Sequence, residues 1–259
     1  MGRLNGQIAL ITGGGSGIGR ACALGFAQEG AQVLIGDIRD AEATQTVEMV
    51  RQAGGECVAV HCDIADEAQV EAMTARCIDV YGGLTALVAN AGTSTRAPLH
   101  ELTLKDWDRV IRVNLTGTFL CCRAAVRHMM EHGGGSIVTI GSVQSVVISG
   151  KGAASYKASK AGILMVTRSL AAEYADYGIR ANCVCPGGVQ TELMQHLDQE
   201  AVYWTSAAQE PLRTYPVTPP LRRSADPAEI ANVVAFLASN EASFMTGAAI
   251  MVDGGLTAV

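Results

Sequence analysis

Charge is scarce in this sequence, and none of it is gathered. Asp, Glu, Lys and Arg make up 17% of the 259 residues, the formal net charge is −6, and there is no run of basic residues. Nucleic acid and anionic membrane surfaces both call for a clustered positive face, so neither is an expected partner. No stretch approaches the ~20 continuous apolar residues of a membrane-spanning helix. The short polar lead before Ile8 has none of the features of a signal peptide, and the expected location is the cytoplasm. Internal repeats and dividing linkers are also lacking, which gives one domain over residues 1–259. The eight cysteines (22, 57, 62, 77, 121, 122, 183 and 185) match no zinc spacing, and the five histidines are scattered, so no metal site is expected. Most of these cysteines lie in apolar segments, as reduced, buried thiols of a cytosolic protein would. Cys183 and Cys185 flank Val184 on an expected strand, with their thiols expected on opposite faces.

What the chain does have is apolar residues, 49% of the total, enough for a large core. They fall into short β-rich runs at Ile8–Thr12, Gln32–Asp37, Cys57–His61, Leu84–Ala89, Ser136–Ile140, Arg180–Val184 and Ala249–Val252. Each run is apolar throughout rather than alternating, as for parallel strands covered on both sides. Helical patterns occupy Gly17–Glu29, Ala41–Ala53, Glu67–Tyr81, Leu104–Glu131, Ser155–Tyr177 and Pro227–Ser239. Asp226 before Pro227, with Glu229 in the first turn, marks a helix start, while Gly30, Gly54 and Gly178 mark helix ends. Asp40 is the expected N-cap of the second helix. This alternation predicts an α/β fold, a single Rossmann-type doubly wound parallel sheet of about seven strands with helices on both faces. The segment at about 190–225 breaks the pattern. It holds four of the seven prolines and fits no periodic template, so a substrate lid is expected there, with Leu193, Met194, Leu197, Val202, Tyr203 and Trp204 as its apolar residues.

The first strand runs into Thr12-Gly13-Gly14-Gly15-Ser16-Gly17-Ile18-Gly19, and a helix follows. Glycines there let the backbone turn sharply and approach a pyrophosphate, and the helix N-terminus offers unpaired N–H groups to that anion. Any tight turn uses glycine, but this setting after the first strand of a βαβ unit points to a dinucleotide. A P-loop is excluded, since no Lys-Ser or Lys-Thr closes the motif. Asp37 ends the second strand, where a carboxylate accepts hydrogen bonds from the adenosine ribose hydroxyls and repels a 2′-phosphate. That favours NAD over NADP, although Arg39 two residues on could offset part of the repulsion.

Tyr156 and Lys160 stand four apart at the start of a long helix and so share one face. Such a pair more often marks a solvated surface. Beside a bound substrate, however, the ammonium would favour the phenolate and lower a phenol that otherwise titrates near 10. Ser142, just past the fifth strand, lies at the carboxyl end of the sheet, where its hydroxyl could donate to a substrate oxygen gaining charge.

Thr12–Gly19, Asn90-Ala91-Gly92, Asn114, Ser142, Tyr156 with Lys160, and Pro186-Gly187 occur in one order along essentially the whole chain. In this the sequence resembles the short-chain dehydrogenase/reductase family, in its NAD-preferring branch with the Tyr-x-x-x-Lys motif. The resemblance implies a catalytic set of Asn114, Ser142, Tyr156 and Lys160. Tyr156 would be the proton donor or acceptor and Ser142 would polarise the substrate oxygen. Lys160 would hold the nicotinamide ribose, and Asn114 would bend a helix and hold a water beside the lysine. For the cofactor the resemblance implies Gly13, Gly15, Ser16, Gly17, Ile18 and Gly19 at the pyrophosphate and Asp37 with Ile38 at the ribose. It further implies Asp63 and Ile64 at adenine, Asn90, Ala91 and Gly92 along the adenosine side, and Pro186, Gly187, Val189 and Thr191 over the nicotinamide. Two departures are Ala89 before Asn90 and Gly141 before Ser142, neither of which removes a proton-transfer group. Ser142, Gln144, Tyr156, Met194 and Trp204 are the candidate substrate contacts, with Val146, Val147 and Ile148 nearby. Of the histidines only His196, in the lid segment, is a candidate substrate contact. The expected activity is hydride transfer between NAD and a largely apolar secondary alcohol, alicyclic or aryl, in an assembly of four copies. The alternatives are a 3-oxoacyl reductase, an NAD-using isomerase or dehydratase, and a non-catalytic NAD-binding sensor or scaffold.

Overall fold

A computed structural model describes residues 2–148, 152–192 and 218–258. Strands β1 (Ile8–Thr12), β2 (Gln32–Asp37), β3 (Glu56–His61), β4 (Ala86–Ala89), β5 (Gly135–Ile140), β6 (Ile179–Pro186) and β7 (Ala249–Val252) form one sheet in the order β3-β2-β1-β4-β5-β6-β7. Every neighbouring pair is parallel. Side chains alternate between two cores. Ala9, Ile11, Val33, Ile35 and Val88 face one helical layer, while Leu10, Leu34, Leu87 and Ile137 face the other. Because both faces meet apolar partners, these strands read as unbroken apolar runs.

The first layer holds α1 (Gly17–Gln28), α2 (Asp40–Gln52) and α7 (Pro227–Ala238), which bury Phe26, Val50, Ile230 and Val234. The second holds α3 (Glu67–Tyr81), α5 (Thr118–Glu131) and α6 (Ala154–Glu173), with Met73, Cys121, Cys122, Met129 and Leu170 in its core. Burying such side chains is worth about 1.5–3 kcal/mol each. Gly30, Gly54 and Gly178 end their helices at positive φ, and Asp226 and Glu229 form a reciprocal capping box at the start of α7.

Four local expectations are corrected. Arg39, not Asp40, is the N-cap of α2; Asp40 lies in its first turn and pairs with His61 Nδ1 at 2.9 Å. The stretch from Leu104 is not one α-helix. It runs as α4 (Leu104–Ile111), a π-helical turn (Arg112–Gly117) and then α5. The helix expected to reach Tyr177 ends at Glu173, and a short 3₁₀ turn, Ala175–Tyr177, follows. Cys183 and Cys185 share a face of β6, with their sulfurs 3.8 Å apart, because the strand repeat of two returns alternate residues to the same side. All eight cysteines are free and buried, as expected. No helix among the described residues is long and apolar enough to cross a membrane.

Candidate active site

After β3 the chain crosses back over β1 to form β4, so the loops after β1 and β4 diverge and open a crevice above the strand ends. Thr12 and Asn90 hold this opening in shape. The Thr12 Oγ1 accepts the N–H groups of Asn90 and Ala91 at 3.0 and 3.1 Å. In return the Asn90 amide donates to the carbonyls of Thr12 and Gly13 at 2.9 and 3.2 Å. The Asn90 side chain thus braces the glycine-rich turn. The N-cap of α1, Ser16, makes no side-chain cap bond, which leaves the first N–H groups of the helix facing the cleft, a fit for a pyrophosphate. Gly15 donates its N–H to Asp37 Oδ2 at 2.8 Å. A Cβ on Gly15 would lie 2.8 Å from that same oxygen, so the contact requires glycine.

The cleft has a volume of about 320 Å³ and reaches from the end of β2 to the end of β6. Gly13, Ser16, Gly17, Ile18, Asp37 and Ile38 line it, as do Asn90, Ala91, Gly92, Ser142, Tyr156, Lys160, Pro186, Gly187, Val189 and Thr191. Most of the expected site residues are therefore brought together, although they come from positions 13 to 191. Gly15 and Gly19 sit behind the wall, where a Cβ on Gly19 would lie 2.0 Å from Gly13 O. Asp63 and Ile64 are not among the lining residues. The Asp63 carboxylate accepts the Ala65 N–H at 2.9 Å, and Ile64 is buried in the core. Gln144 also lies off the wall, next to Ser142. Met194, His196 and Trp204, with Leu193, Leu197, Val202 and Tyr203, fall outside the described residues. Val146, Val147 and Ile148 are exposed and form an apolar shoulder after Ser142.

β5 delivers Ser142 to the cleft as the N-cap of a single 3₁₀ turn. The turn is held from α6: Ser145 Oγ accepts the Ser142 N–H at 3.2 Å and donates to the Lys160 carbonyl at 2.8 Å. Ser142 and Tyr156 line the same part of the cleft, with Lys160 beside them. Lys160 is buried; its Nζ donates to the Ile140 carbonyl at 2.7 Å and lies 5.6 Å from the centre of the Tyr156 ring. Burial pushes the Lys160 ammonium down to about 8, opposed by the nearby thiols of Cys183 and Cys185. Burial also pushes the Tyr156 phenol above its ordinary value, with the Ser142 hydroxyl acting against it. This corrects the expected lowering of Tyr156 by Lys160, since desolvation is the larger effect.

Asn114 is fully buried in the π-helical turn. Its Oδ1 accepts the Thr93 N–H at 2.7 Å, and its Nδ2 donates to Thr93 O at 2.8 Å and to Ser159 Oγ at 3.0 Å. The amide thereby ties the loop after β4 to α6. A Cβ built on Gly92 would lie 3.3 Å from Asn114 Oδ1 and 3.7 Å from Lys160 Nζ, so the backbone of Gly92 runs close past both atoms and a side chain there would crowd Asn114.

Ile140, Gly141 and Glu192 also line the cleft, and none of them was a candidate. Ile140 acts through its carbonyl, which no side-chain pattern reveals. Glu192 pairs with Arg39 across 153 positions of sequence, beyond the reach of any local signal.

A family model described as enoyl-(acyl carrier protein) reductase matches residues 13–257. A solved short-chain type dehydrogenase/reductase from Mycobacterium marinum superposes with a TM-score of 0.90 at 32% identity, covering 99% of this chain and 97% of that one. The chain belongs to the short-chain dehydrogenase/reductase family. As a member it is an oxidoreductase of CH–OH groups that uses a nicotinamide cofactor, NAD(H) or NADP(H). Among curated members of the family, cis-4-hydroxycyclohexanecarboxylate dehydrogenase of Sinomonas cyclohexanicum is 43% identical over 98% of this chain and 97% of its own length. A 2,5-dichloro-2,5-cyclohexadiene-1,4-diol dehydrogenase of Sphingobium indicum is 36% identical over 98% and 97%.

Proposed function

We propose that this short-chain dehydrogenase/reductase is an NAD-dependent dehydrogenase of an alicyclic secondary alcohol, with Tyr156 as its acid/base. The observation that carries this reading is the convergence of Ser142, Tyr156 and buried Lys160 on the same cleft as Asp37. When bound, the nicotinamide supplies the hydride acceptor. The protein's own groups supply the rest. Ser142 donates to the substrate oxygen and holds it against Tyr156, which takes the hydroxyl proton in oxidation and returns it in reduction. Lys160 places a cation next to that phenol and a donor at the nicotinamide ribose. A water held between Lys160 and Asn114, both close to Gly92, would pass the proton onward. Asp37, already fixed by the Gly15 and Arg39 N–H groups, keeps lone pairs for the ribose hydroxyls and sets its charge against a 2′-phosphate.

The ring substrates named for the two curated relatives support an alicyclic alcohol, as does the apolar shoulder at Val146, Val147 and Ile148. The lid segment, with Met194 and Trp204, completes the substrate side in this reading, and the cytoplasm is the expected compartment. The test is turnover of cyclic secondary alcohols with NAD and with NADP, for wild type and Tyr156→Phe. The substitution keeps the ring and removes the titratable oxygen. NAD binding is expected to survive while kcat falls at least ~10²-fold. A folded, NAD-binding Tyr156→Phe protein keeping more than about a tenth of wild-type kcat defeats the acid/base role. A wild type with higher kcat/KM for NADP than for NAD defeats the cofactor choice.

A further inference from the structure

Arg39 stands where a cation could rescue NADP binding. It lies two residues past Asp37, lines the same cleft, and carries the planar fork of donors that suits a phosphate. In the structure this fork is already engaged. Nη1 donates to Glu192 Oε2 at 2.7 Å and Nη2 donates to Ser16 Oγ at 2.6 Å. Glu42 Oε1 lies 3.5 Å from Nη1, and Asp37 Oδ1 lies 4.0 Å from Nε. One cation therefore faces three carboxylates, and the hydrogen bond to Glu192 is the largest influence holding its proton.

Two of these carboxylates come from Arg39's own side of the cleft. Asp37 ends β2 and Glu42 sits in the first turn of α2. Glu192 comes from the opposite wall, directly after Thr191 in the segment following β6. Its pairing with Arg39 draws the guanidinium across the cleft to Ser16 and the far wall. A 2′-phosphate arriving at Asp37 would have to take Arg39 from Glu192 while adding negative charge to a group of carboxylates.

We propose that Glu192 is a specificity-determining residue, which holds the Arg39 guanidinium and so withholds it from a 2′-phosphate. Selection against NADP then rests on two carboxylates, Asp37 at the ribose and Glu192 at the cation that would otherwise compensate. This rests on the reading of the protein as NAD-preferring. Both partners are partly exposed, with side-chain exposures of 38% and 46%, so the effect is moderate and weakens with salt.

The probes are adenosine 5′-monophosphate and adenosine 2′,5′-bisphosphate, with binding measured by calorimetry at low salt. Glu192→Gln is expected to raise the affinity for the bisphosphate relative to the monophosphate by about tenfold, the scale of one charge-assisted hydrogen bond. The gain should vanish in Glu192→Gln/Arg39→Met, while Glu192→Asp should stay close to wild type. An unchanged affinity ratio in Glu192→Gln overturns the proposal. So does a gain that survives Arg39→Met, which would mean direct repulsion by Glu192 rather than capture of Arg39. A wild type that already favours the bisphosphate defeats the NAD reading instead, whichever way the Glu192 variants behave. Thermal melts of each variant separate misfolding from altered recognition.

Discussion

Lys160 shows a residue held at the expense of stability. Among the described residues its ammonium donates to the Ile140 carbonyl, and burial lowers it from 10.5 to about 8. Between those two values the unfolded chain binds a proton that the folded chain does not, so folding stability rises with pH across that window. Below about 8 the full penalty applies. Measured without added cofactor, Lys160→Met is therefore expected to be more stable than wild type at pH 7, by on the order of 2 kcal/mol. The difference should shrink as the pH climbs from 8 toward 10.5 in a series of denaturation curves. A Lys160→Met protein less stable than wild type at pH 7 would show that the Ile140 bond outweighs desolvation. The same burial acts on Tyr156, which is pushed above its ordinary range. The pair was legible in the sequence from its spacing of four, but its electrostatics were not. Spacing says that two groups share a helix face and nothing about how much water reaches them.

Among the elements, the π-helical turn at Arg112–Gly117 is the one whose loss should be felt furthest away. Through Asn114 it fastens the loop after β4 to Ser159 on α6, and Ser159 in turn donates to the Tyr156 carbonyl at 2.7 Å. Asn114→Ala would orphan the partly buried N–H of Thr93 and leave a cavity at a fully buried position, and is expected to cost about 2–4 kcal/mol in urea unfolding. Its kcat should fall more than its cofactor affinity, because the loop and α6 carry the reacting side of the cleft. A variant within 0.5 kcal/mol of wild type, roughly the range of a neutral surface change, would show that the turn does not depend on this side chain. The strand positions and several helix starts and stops were readable, because apolar runs, Asp226-Pro227-Ala228-Glu229 and Gly30, Gly54 and Gly178 are local signals, while the order of the strands came only with the fold. The π turn was not readable, since it inserts one residue into a helical repeat without changing which residues look apolar. At the start of α2, Arg39 takes the cap position with its N–H bonded to Asp37 Oδ1 at 3.0 Å, and Asp40, one residue inside, pairs instead with His61 of β3. Gly13, Ser16, Gly17 and Ile18 of the glycine-rich turn line the cleft with Asp37, Ser142, Tyr156 and Lys160, while Glu192 enters through a contact that only the folded chain creates.

At the scale of the whole molecule, two large apolar side chains stand exposed on the long helices α5 and α6, the helices that in relatives of this family commonly pair between copies. Phe119 on α5 is 44% exposed and Met165 on α6 is 58% exposed. We propose that these faces pair in an assembly of four copies. Phe119→Glu with Met165→Glu places buried like charges across such a contact. Light scattering is expected to show a smaller assembly than wild type, with the far-ultraviolet circular dichroism unchanged. A wild type that already runs as a single chain would sink the idea. The buried thiols have a consequence of another kind. Cys22, Cys57, Cys77 and Cys122 are pushed up to about 12 and Cys62 to about 11, and all are shielded by the layers that form the two cores. Only a thiolate in contact with solvent reacts readily with an alkylating reagent. Labelling of these sulfurs therefore waits for the layers to separate. The chain carries a clock in its interior, and counting modified cysteines against time would read how often the two faces of the sheet open, with no dye or added reporter.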